Sequence, residues 1–359
     1  MDQKKALIAM SGGVDSSVAA YLMLNAGYIC EGATVKMCDE ALLGDRLDLQ
    51  YIADARAIAD RLGLTFHTID GAEAFKQTVV ADFISCYEQG LTPNPCICCN
   101  RHIKFSFLLD RALDLGCGTI VTGHYAQIRK DDATGRYLLY KAADQTKDQS
   151  YFLACLNQHQ LAHAHFPLGS FTKAQIRQIA QEQGFLNARK RDSQDICFIP
   201  DGDYAAFLRR YTGKAYPEGD YLDLSGKVVG RHKGAICYTL GQRKGLGLAM
   251  GAPVYVCSKN MRNNTVTVGP EEALYTSTLI ATNCNWLPFG MLTEPIRVTA
   301  KARYRHTPQP ATVYPEESGR VRVVFDAPQR AVTPGQTVVM YWDDMVVGSG
   351  TITETNETA

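Results

Sequence analysis

The first half of the chain alternates between apolar runs of strand length and apolar residues at helical spacing. The short runs predict strands at 5–10, 29–36, 64–69 and 119–122. The helical spacing predicts helices at 16–25, 48–62, 74–89 and 104–115. Strands that alternate with helices form a parallel sheet with helices on both faces, so we predict an α/β domain. The intervening segment 91–100 carries two prolines and three cysteines, and we predict a loop there.

The pattern changes after residue 129. Asp131, Asp132 and Gly135 predict the turn of a hairpin that returns through 137–140. Helical spacing then predicts helices at 149–165, 173–183 and 203–211. From residue 220 onward no helical period remains, and short apolar runs recur between turn residues. This pattern predicts an all-β region, either a sandwich or a barrel.

The composition excludes several classes of protein. The 359 residues are 46% hydrophobic and 21% charged, close to the averages of globular chains, which excludes disordered and fibrous classes. The 37 Lys and Arg balance the 37 Asp and Glu, so only a local basic surface is compatible with a nucleic-acid partner. No apolar run reaches the roughly 18–20 residues of a membrane span, so we expect no membrane partner. The twelve cysteines lack the dense framework of a secreted scaffold, and we expect free thiols in a reducing cytoplasm.

The segment Ser11-Gly12-Gly13-Val14-Asp15-Ser16-Ser17 lies between a predicted strand and a predicted helix. Its backbone amides and the helix N-terminus form an anion site, and the two glycines allow backbone to approach an oxygen closely. The segment is neither a dinucleotide fingerprint nor a Walker loop, which disfavours dinucleotides and transfer of the γ-phosphate. The alternative is a simple helix cap, in which Asp15 or Ser16 satisfies free amides.

Three cysteines cluster at Cys96, Cys98 and Cys99. Cys99 precedes a predicted helix and lies close to basic residues, which favours its thiolate, and a polar loop is a poor place to bury a thiol. A zinc site would need a second Cys-x-x-Cys, and the sequence has none, although the three cysteines and His102 leave a local site open. Cys197 follows a basic run and on its own reads as a core cysteine.

The segment 11–17 resembles the pyrophosphate loop of the ATP-pyrophosphatase superfamily, whose members activate an oxygen by adenylation. Further segments occur in the order found in the bacterial tRNA-specific 2-thiouridylase (MnmA) family, which the chain resembles over nearly its whole length. They are AMSGGVDSS at 9–17, TPNP-x-x-x-CN-x-x-IKF at 92–105, TGHYA at 122–126, KDQSYFL at 147–153, KRDSQDICFI at 190–199, YTLGQRKGLG at 238–247, ARYR at 302–305 and AVTPGQ at 331–336.

The resemblance implies a fold and a reaction. It implies an ATP-pyrophosphatase catalytic domain at 1–210, with a parallel sheet like that of adenine nucleotide alpha hydrolases, a small central domain at 211–272 and a tRNA-binding β-barrel domain at 273–359. ATP would adenylate O2 of the wobble uridine (U34) in glutamate, lysine and glutamine tRNAs, with Mg²⁺ as cofactor. A cysteine persulfide, loaded by a sulfur donor protein such as a cysteine desulfurase or a relay protein, would then supply sulfur.

The resemblance also implies roles for individual residues. Cys197 would carry the persulfide, Cys99 would act as nucleophile and leave a Cys99–Cys197 disulfide, and Asp15 would hold magnesium. The residues expected to bind ATP are Ala9, Met10, Ser11, Gly12, Gly13, Val14, Asp15, Ser16, Val35 and Gly123. Those expected to contact tRNA are Asn94, Pro95, Cys96, His124, Lys147, Asp148, Gln149, Arg303, Tyr304 and Gln336.

One departure from the family pattern leaves an alternative open. Many members have Asp where this chain has Cys96, so Cys96, Cys99 and Cys197 form a three-thiolate set able to hold an iron–sulfur cluster. The rival functions are another tRNA thiolase or ligase of the same superfamily, and a non-catalytic RNA-binding protein that uses the loop to sense nucleotide.

Overall fold

A parallel sheet forms the centre of the N-terminal domain. The structure is a computed structural model and describes residues 4–44, 47–188 and 196–355. The strands run in the order Thr65–Asp70, Ile29–Lys36, Lys5–Ala9, Thr119–Val121 and Ala164–His165, all parallel. The predicted α/β sheet is therefore confirmed, and its central strand, Lys5–Ala9, leads directly into the glycine-rich segment.

Helices cover both faces of this sheet. Their bounds are Val14–Asn25, Glu40–Leu43, Gln50–Arg61, Ala72–Phe75, Lys76–Val80, Ala81–Glu88, Pro95–Cys99, Asn100–Phe107, Leu108–Asp114, Ser150–Leu153, Gln158–His163, Lys173–Glu182 and Tyr204–Thr212. Two of them, Lys76–Val80 and Asn100–Phe107, are π-helical. Within the described ranges no helix combines the length and apolar character needed to cross a bilayer.

The prediction of a loop at 91–100 is wrong. A helix begins at Pro95, because Asn94 accepts a hydrogen bond from the Ile97 amide at 3.3 Å and proline is well suited to the first helical position. The helical run then continues through Asp114, so all three clustered cysteines lie on a helix. The predicted helix at 149–165 is two short helices, because Asn157 begins a capping box with Gln160.

The remaining strands form two further sheets. The central region has a four-stranded sheet of Tyr255–Asn260, Thr265–Gly269, Gly219–Leu222 and Val228–His232. The C-terminal strands pair in the order Tyr275–Trp286, Val321–Arg330, Gln309–Pro315, Ile296–Lys301, Thr337–Trp342 and Met345–Thr355. The last strand also pairs with the first, which closes the barrel. Of the two predicted alternatives, sandwich and barrel, the barrel is confirmed.

The predicted hairpin ties the barrel to the N-terminal domain. Its strands, Gln127–Lys130 and Tyr137–Tyr140, pair with each other as predicted. Tyr140 also pairs with Met345 on the last barrel strand. Chain from the first half of the sequence therefore extends the C-terminal sheet, which ties the barrel to the N-terminal domain.

Candidate active site

The glycine-rich segment lies at the carboxyl end of the central strand, where ligands bind in open α/β sheets. The neighbouring strand fixes Met10, the residue just before this segment, since Thr34 Oγ1 donates to the Met10 carbonyl at 2.6 Å. Gly12 has a φ of +69°, and a Cβ there would lie 2.6 Å from the Tyr51 carbonyl oxygen. Only glycine fits this position without moving the adjacent helix.

Asp15 does not serve as a helix cap. Both of its carboxylate oxygens lie 2.8 Å from Lys173 Nζ, and the Tyr125 hydroxyl donates to one of them at 2.8 Å. Lys173 is only 8% exposed and begins the helix Lys173–Glu182. The site therefore contains a lysine that the sequence analysis missed, because a lysine inside a Thr-x-x-Gln capping box looks like an ordinary first-turn residue.

A cavity of about 260 Å³ opens beside the loop. Seven of the residues predicted to bind ATP line it, namely Ala9, Met10, Ser11, Asp15, Ser16, Val35 and Gly123. Two residues predicted to contact tRNA, His124 and Gln149, line the same cavity, as does Lys104. Gly12, Gly13 and Val14 belong to the loop but do not line the cavity.

His124 links this cavity to the cysteine helix. Its Nδ1 lies 2.7 Å from Thr122 Oγ1, and its Nε2 lies 3.4 Å from Lys104 Nζ. Burial and the Lys104 charge hold the pKa of His124 well below its usual value. The imidazole is therefore neutral at physiological pH. Its Nε2 accepts a hydrogen bond from the ammonium group of Lys104, so Nδ1 carries the ring proton and donates to Thr122.

Cys99 differs from the expectation drawn from its sequence context. It is buried, only 8% exposed, and its Sγ lies 3.9 Å from Met37 Sδ. Burial raises the pKa of Cys99 to about 11, and Lys104 opposes part of that rise. The prediction that Cys99 is a thiolate is wrong. The helix begins earlier than expected and places the thiol in the core rather than at a helix N-terminus.

Cys197 lies close to the cysteine helix. Its residue is exposed, while the next residue, Phe198, packs 5.5 Å from the Phe75 ring and 5.2 Å from the Phe83 ring. The surrounding protein shields the sulfur from water, which raises the pKa of Cys197. The nearby thiols of Cys99, Cys38 and Cys96 raise it further. Cys197 and Cys99 are therefore near each other, and both are free thiols here. The basic run before Cys197, at 190–195, lies outside the described residues.

The other clustered cysteines flank Cys99 on the same helix. Cys96 is exposed and Cys98 is partly buried, and burial raises the pKa of both thiols, that of Cys98 to about 12. Within 4–44, 47–188 and 196–355, no three His, Cys, Asp or Glu side chains are arranged to hold a metal ion. The local zinc site and the iron–sulfur alternative thus gain no support from the described residues.

Several residues expected to contact tRNA have partners inside the protein. Asp148 is buried and accepts from the Ser150 hydroxyl at 2.8 Å, and Gln149 accepts from the Tyr125 amide at 2.9 Å. Asn94 caps its helix, as described, with Pro95 buried beside it. Lys147 is partly exposed. Of these positions, Gln149 lines the cavity.

The barrel residues expected to contact tRNA lie over the same region. Gln336 donates to the Thr92 and Pro93 carbonyls at 2.9 and 3.1 Å, which joins the barrel to the start of the cysteine helix. Arg303 is half-buried and donates to the Leu240 carbonyl at 3.1 Å. Tyr304 is 37% exposed, with its ring 4.3 Å from Phe152. Of these barrel residues, Tyr304 therefore offers an exposed aromatic surface.

Gly123→Ala tests whether the cavity wall fits the loop closely. An alanine Cβ would lie 2.8 Å from both the Asp15 carbonyl carbon and the Ser16 nitrogen. We expect the loop to shift, with a loss of about 1–3 kcal/mol in unfolding free energy and weaker nucleotide binding. Denaturant unfolding and ATP titration measure the two effects. Gly118→Ala is the matched control, because a Cβ there meets nothing within 4 Å; equal behaviour of the two variants would contradict the close fit.

Comparison with protein families covers nearly the whole chain. Residues 4–201 match the model described as tRNA methyl transferase HUP domain, residues 205–270 the tRNA methyl transferase PRC-barrel domain, and residues 276–352 the aminomethyltransferase beta-barrel domain. The tRNA-specific 2-thiouridylase MnmA of Clostridioides difficile is 45% identical over 353 residues, which are 97% of this chain and 98% of that protein. The protein of the same name from Acetivibrio thermocellus is 46% identical over 358 residues, 98% of this chain and 100% of that one.

Solved structures resemble the chain more distantly. A 4-thiouridine synthetase in complex with RNA and ATP matches with a TM-score of 0.34 and 17% identity, covering 58% of this chain and 50% of that one. A second match is the U34-tRNA thiolase NcsA from Methanococcus maripaludis with its [4Fe-4S] cluster. It has a TM-score of 0.34 and 19% identity, and the match covers 59% of this chain and 71% of that one.

Proposed function

This chain belongs to the family of tRNA-specific 2-thiouridylases (MnmA), and on that premise we propose that it replaces O2 of uridine 34 in tRNA with sulfur at the expense of ATP. One observation carries the proposal. The glycine-rich loop with Asp15 and the helix that bears Cys99 border a single cavity, to which the loop contributes Ser11 and the cysteine helix contributes Lys104. Lys104 follows Cys99 by five residues, so we propose that the base is activated in this cavity and that the thiol chemistry takes place beside it.

The first step activates the base. The uracil O2 attacks the α-phosphorus of ATP, which forms an O2-adenylate and releases pyrophosphate. The loop amides and the N-terminus of Val14–Asn25 would bind the departing phosphates, with Lys173 as a buried positive charge beside them. Asp15 faces the cavity and supplies the hard oxygen ligands that Mg²⁺ prefers, so it would hold Mg²⁺ together with ATP phosphate oxygens, where the ion would neutralise phosphate charge.

The second step transfers sulfur. The outer sulfur of a Cys197 persulfide attacks C2 of the uracil, and AMP leaves with the former O2. The Cys99 thiolate then attacks the Cys197 sulfur, so the bond to the outer sulfur breaks and its electron pair stays on the new 2-thiouridine. The product is a Cys99–Cys197 disulfide, which an external thiol reductant must reopen before the next turnover.

Charge placement supports an RNA partner despite the neutral chain. Residues 205–270 contain ten Lys or Arg against three Asp or Glu. Nine of these basic residues are exposed, namely Arg209, Arg210, Lys214, Lys227, Arg231, Lys233, Arg243, Lys244 and Arg262. We propose that this surface binds the phosphate backbone and that the tRNAs for glutamate, lysine and glutamine are the substrates, with a cysteine desulfurase or a relay protein as sulfur donor.

Tyr304→Ala tests the tRNA contact of the barrel. Stacking of a base on an exposed ring contributes about 1–3 kcal/mol, so we expect tRNA affinity to fall about 5- to 100-fold while ATP binding is unchanged. Filter binding with an anticodon stem-loop measures the effect. Tyr275→Ala is the matched control, since both tyrosines lie on the barrel and are 37% exposed. Equal affinities of the two variants would remove Tyr304 from the interface.

An assay with purified components tests the proposed function. The protein, a cysteine desulfurase with cysteine, ATP, Mg²⁺ and unmodified glutamate tRNA are combined, and digested nucleosides are analysed by mass spectrometry. We expect 2-thiouridine that depends on ATP and disappears when uridine 34 is replaced by cytidine. Binding of tRNA and ATP without any thionucleoside would favour the non-catalytic alternative, and a thionucleoside at another position would favour a different thiolase.

A further inference from the structure

The structure raises a chemical difficulty for the resolving cysteine. The proposed second step needs Cys99 as a thiolate, because the thiolate is the nucleophile in exchange at sulfur. Burial raises the pKa of Cys99 to about 11, so nearly all of this thiol is protonated at neutral pH. A neighbouring positive charge is therefore needed to stabilise the anion when it forms.

The π-helical segment supplies such a charge on the same face of the helix. Lys104 follows Cys99 by five residues, which on an α-helix would place the two side chains about 140° apart. Asn100–Phe107 is a π-helix, in which hydrogen bonds join residues five apart and bring them nearly one above the other. Phe105 departs from helical geometry at φ −110° and ψ 15°. Lys104 lines the cavity and interacts electrostatically with the Cys99 thiol.

His124 fixes the direction of the lysine side chain. Its Nε2 lies 3.4 Å from Lys104 Nζ, while Nδ1 is held 2.7 Å from Thr122 Oγ1. The imidazole also packs against the rings of Phe105 and Phe166 at 6.0 and 5.9 Å. The imidazole is neutral, and its acceptor nitrogen faces the ammonium group. It therefore orients the Lys104 side chain without neutralising its charge.

Among residues 4–44, 47–188 and 196–355, the other titratable groups around Cys99 do not provide a positive charge. Within these ranges the groups that interact electrostatically with its thiol, besides Lys104, are cysteines: Cys96 and Cys98 on the same helix, and Cys38, Cys155 and Cys197 from other segments. Each of these thiols has a raised pKa and is neutral at pH 7, and any that ionised would oppose a second thiolate. Lys104 is the group that lowers the pKa of Cys99.

Resting on the proposed function, we propose that the ammonium group of Lys104, aimed by His124, stabilises the thiolate of Cys99 and thereby activates it for attack on the Cys197 sulfur. The Cys99 proton leaves to solvent, the Cys99–Cys197 bond forms, and the bond from Cys197 to the outer sulfur breaks. Lys104 keeps its own proton throughout. It acts through Cys99 and is a positioning residue for the sulfur-transfer step.

The alkylation rate of Cys99 tests this proposal without tRNA or a sulfur donor. The protein is treated with iodoacetamide between pH 7 and 9.5, and the Cys99 peptide is quantified by mass spectrometry. The rate should rise about tenfold per pH unit in the wild type, because the pKa lies above this range. Lys104→Met should lower the rate about 3- to 10-fold at every pH, and Lys104→Arg should restore most of it.

Controls separate the charge from the fold. Arg111→Met removes a positive charge farther along the same helical run, where Arg111 pairs with Asp114 at 3.0 Å, and should leave the Cys99 rate unchanged. Lys104→Gln replaces Lys104→Met if the methionine variant melts at a lower temperature than the wild type. Equal alkylation rates in the wild type and the folded uncharged variant would overturn the proposal. Because the assay contains no tRNA, its outcome is independent of whether the protein makes 2-thiouridine.

A second readout follows the step itself. Protein loaded with persulfide on Cys197 is mixed with ATP and tRNA for a single turnover, and disulfide formation is timed. Lys104→Met should slow the appearance of the Cys99–Cys197 disulfide by the same factor, about 3- to 10-fold, at pH 7 and at pH 9.5, because both values lie below the pKa of Cys99, and Lys104→Arg should restore most of the rate. A wild-type rate in Lys104→Met, or a Lys104→Arg variant as slow as Lys104→Met, would contradict the proposed role.

Discussion

Cys197→Ser is expected to abolish 2-thiouridine formation, by at least about 1000-fold, while ATP-dependent pyrophosphate release continues. The serine hydroxyl cannot carry transferable sulfur, whereas the loop, Asp15 and Lys173, which we propose act on ATP, remain in place. Cys99→Ser is expected to accept sulfur on Cys197 and then to stop, because no partner thiol can form the disulfide. Nucleoside mass spectrometry and pyrophosphate release, measured on the same samples, separate the two steps.

Cys98→Ser is the matched control for these variants. It lies next to Cys99 on the same helix and should keep most of the activity. Normal turnover of Cys99→Ser over many cycles would refute the two-cysteine mechanism. Loss of activity in Cys98→Ser equal to that in Cys99→Ser would show that the substitutions disturb the helix rather than the chemistry.

Asp15→Asn and Lys173→Met are expected to lower pyrophosphate release by at least about 100-fold, for different reasons. The first removes the carboxylate proposed to hold Mg²⁺, and with it the negative charge that pairs with the buried ammonium group of Lys173. The second removes a positive charge next to the phosphates and leaves Asp15 bound by Tyr125. Asp15→Asn should therefore also reduce the free energy of unfolding, by about 1–3 kcal/mol.

Pyrophosphate release with tRNA and ATP, together with denaturant unfolding, measures both effects. Asp60→Asn, an exposed carboxylate on the helix Gln50–Arg61, is the control and should change neither quantity. Release at the wild-type rate by either variant would remove that residue from the activation of the base.

The conformation of the glycine-rich loop could be predicted from sequence because its signal is local. A buried strand, a glycine pair and a helix start lie within about a dozen consecutive residues, and each has a direct meaning for backbone geometry. The parallel sheet could also be predicted from local signals, because strand-length apolar runs alternate with apolar residues at helical spacing. The closed barrel required more, because its closure depends on pairing between the first and last strands.

The partners of the predicted residues could not be read from the chain. Lys173 reaches Asp15 from a position 158 residues away, and no local pattern distinguishes it from a surface lysine. His124 and Gln149 line the cavity with Asp15 because the strand Thr119–Val121 and the segment before Ser150 meet there. Their contact with tRNA stays a prediction.

The cysteine helix shows why the local interpretation failed at one place. Two prolines within 91–100 suggested a loop, yet Pro95 occupies a first-turn position where its missing amide costs nothing, and Asn94 supplies the cap. The same error led to the expectation of a thiolate at Cys99. The π-helix that follows has no sequence signal of its own, and it sets the relation between Cys99 and Lys104.

The most direct test follows one sulfur atom through one turnover. The Cys197 persulfide is loaded with ³⁴S, and the protein is mixed with excess glutamate tRNA and ATP in the absence of reductant. The account predicts that ³⁴S-labelled 2-thiouridine appears in an amount equal to the loaded persulfide, that one pyrophosphate is released per label transferred, and that Cys99 and Cys197 are recovered as a disulfide. Label that stays on the protein while pyrophosphate is released, or labelled 2-thiouridine formed while Cys99 remains a free thiol, would contradict it.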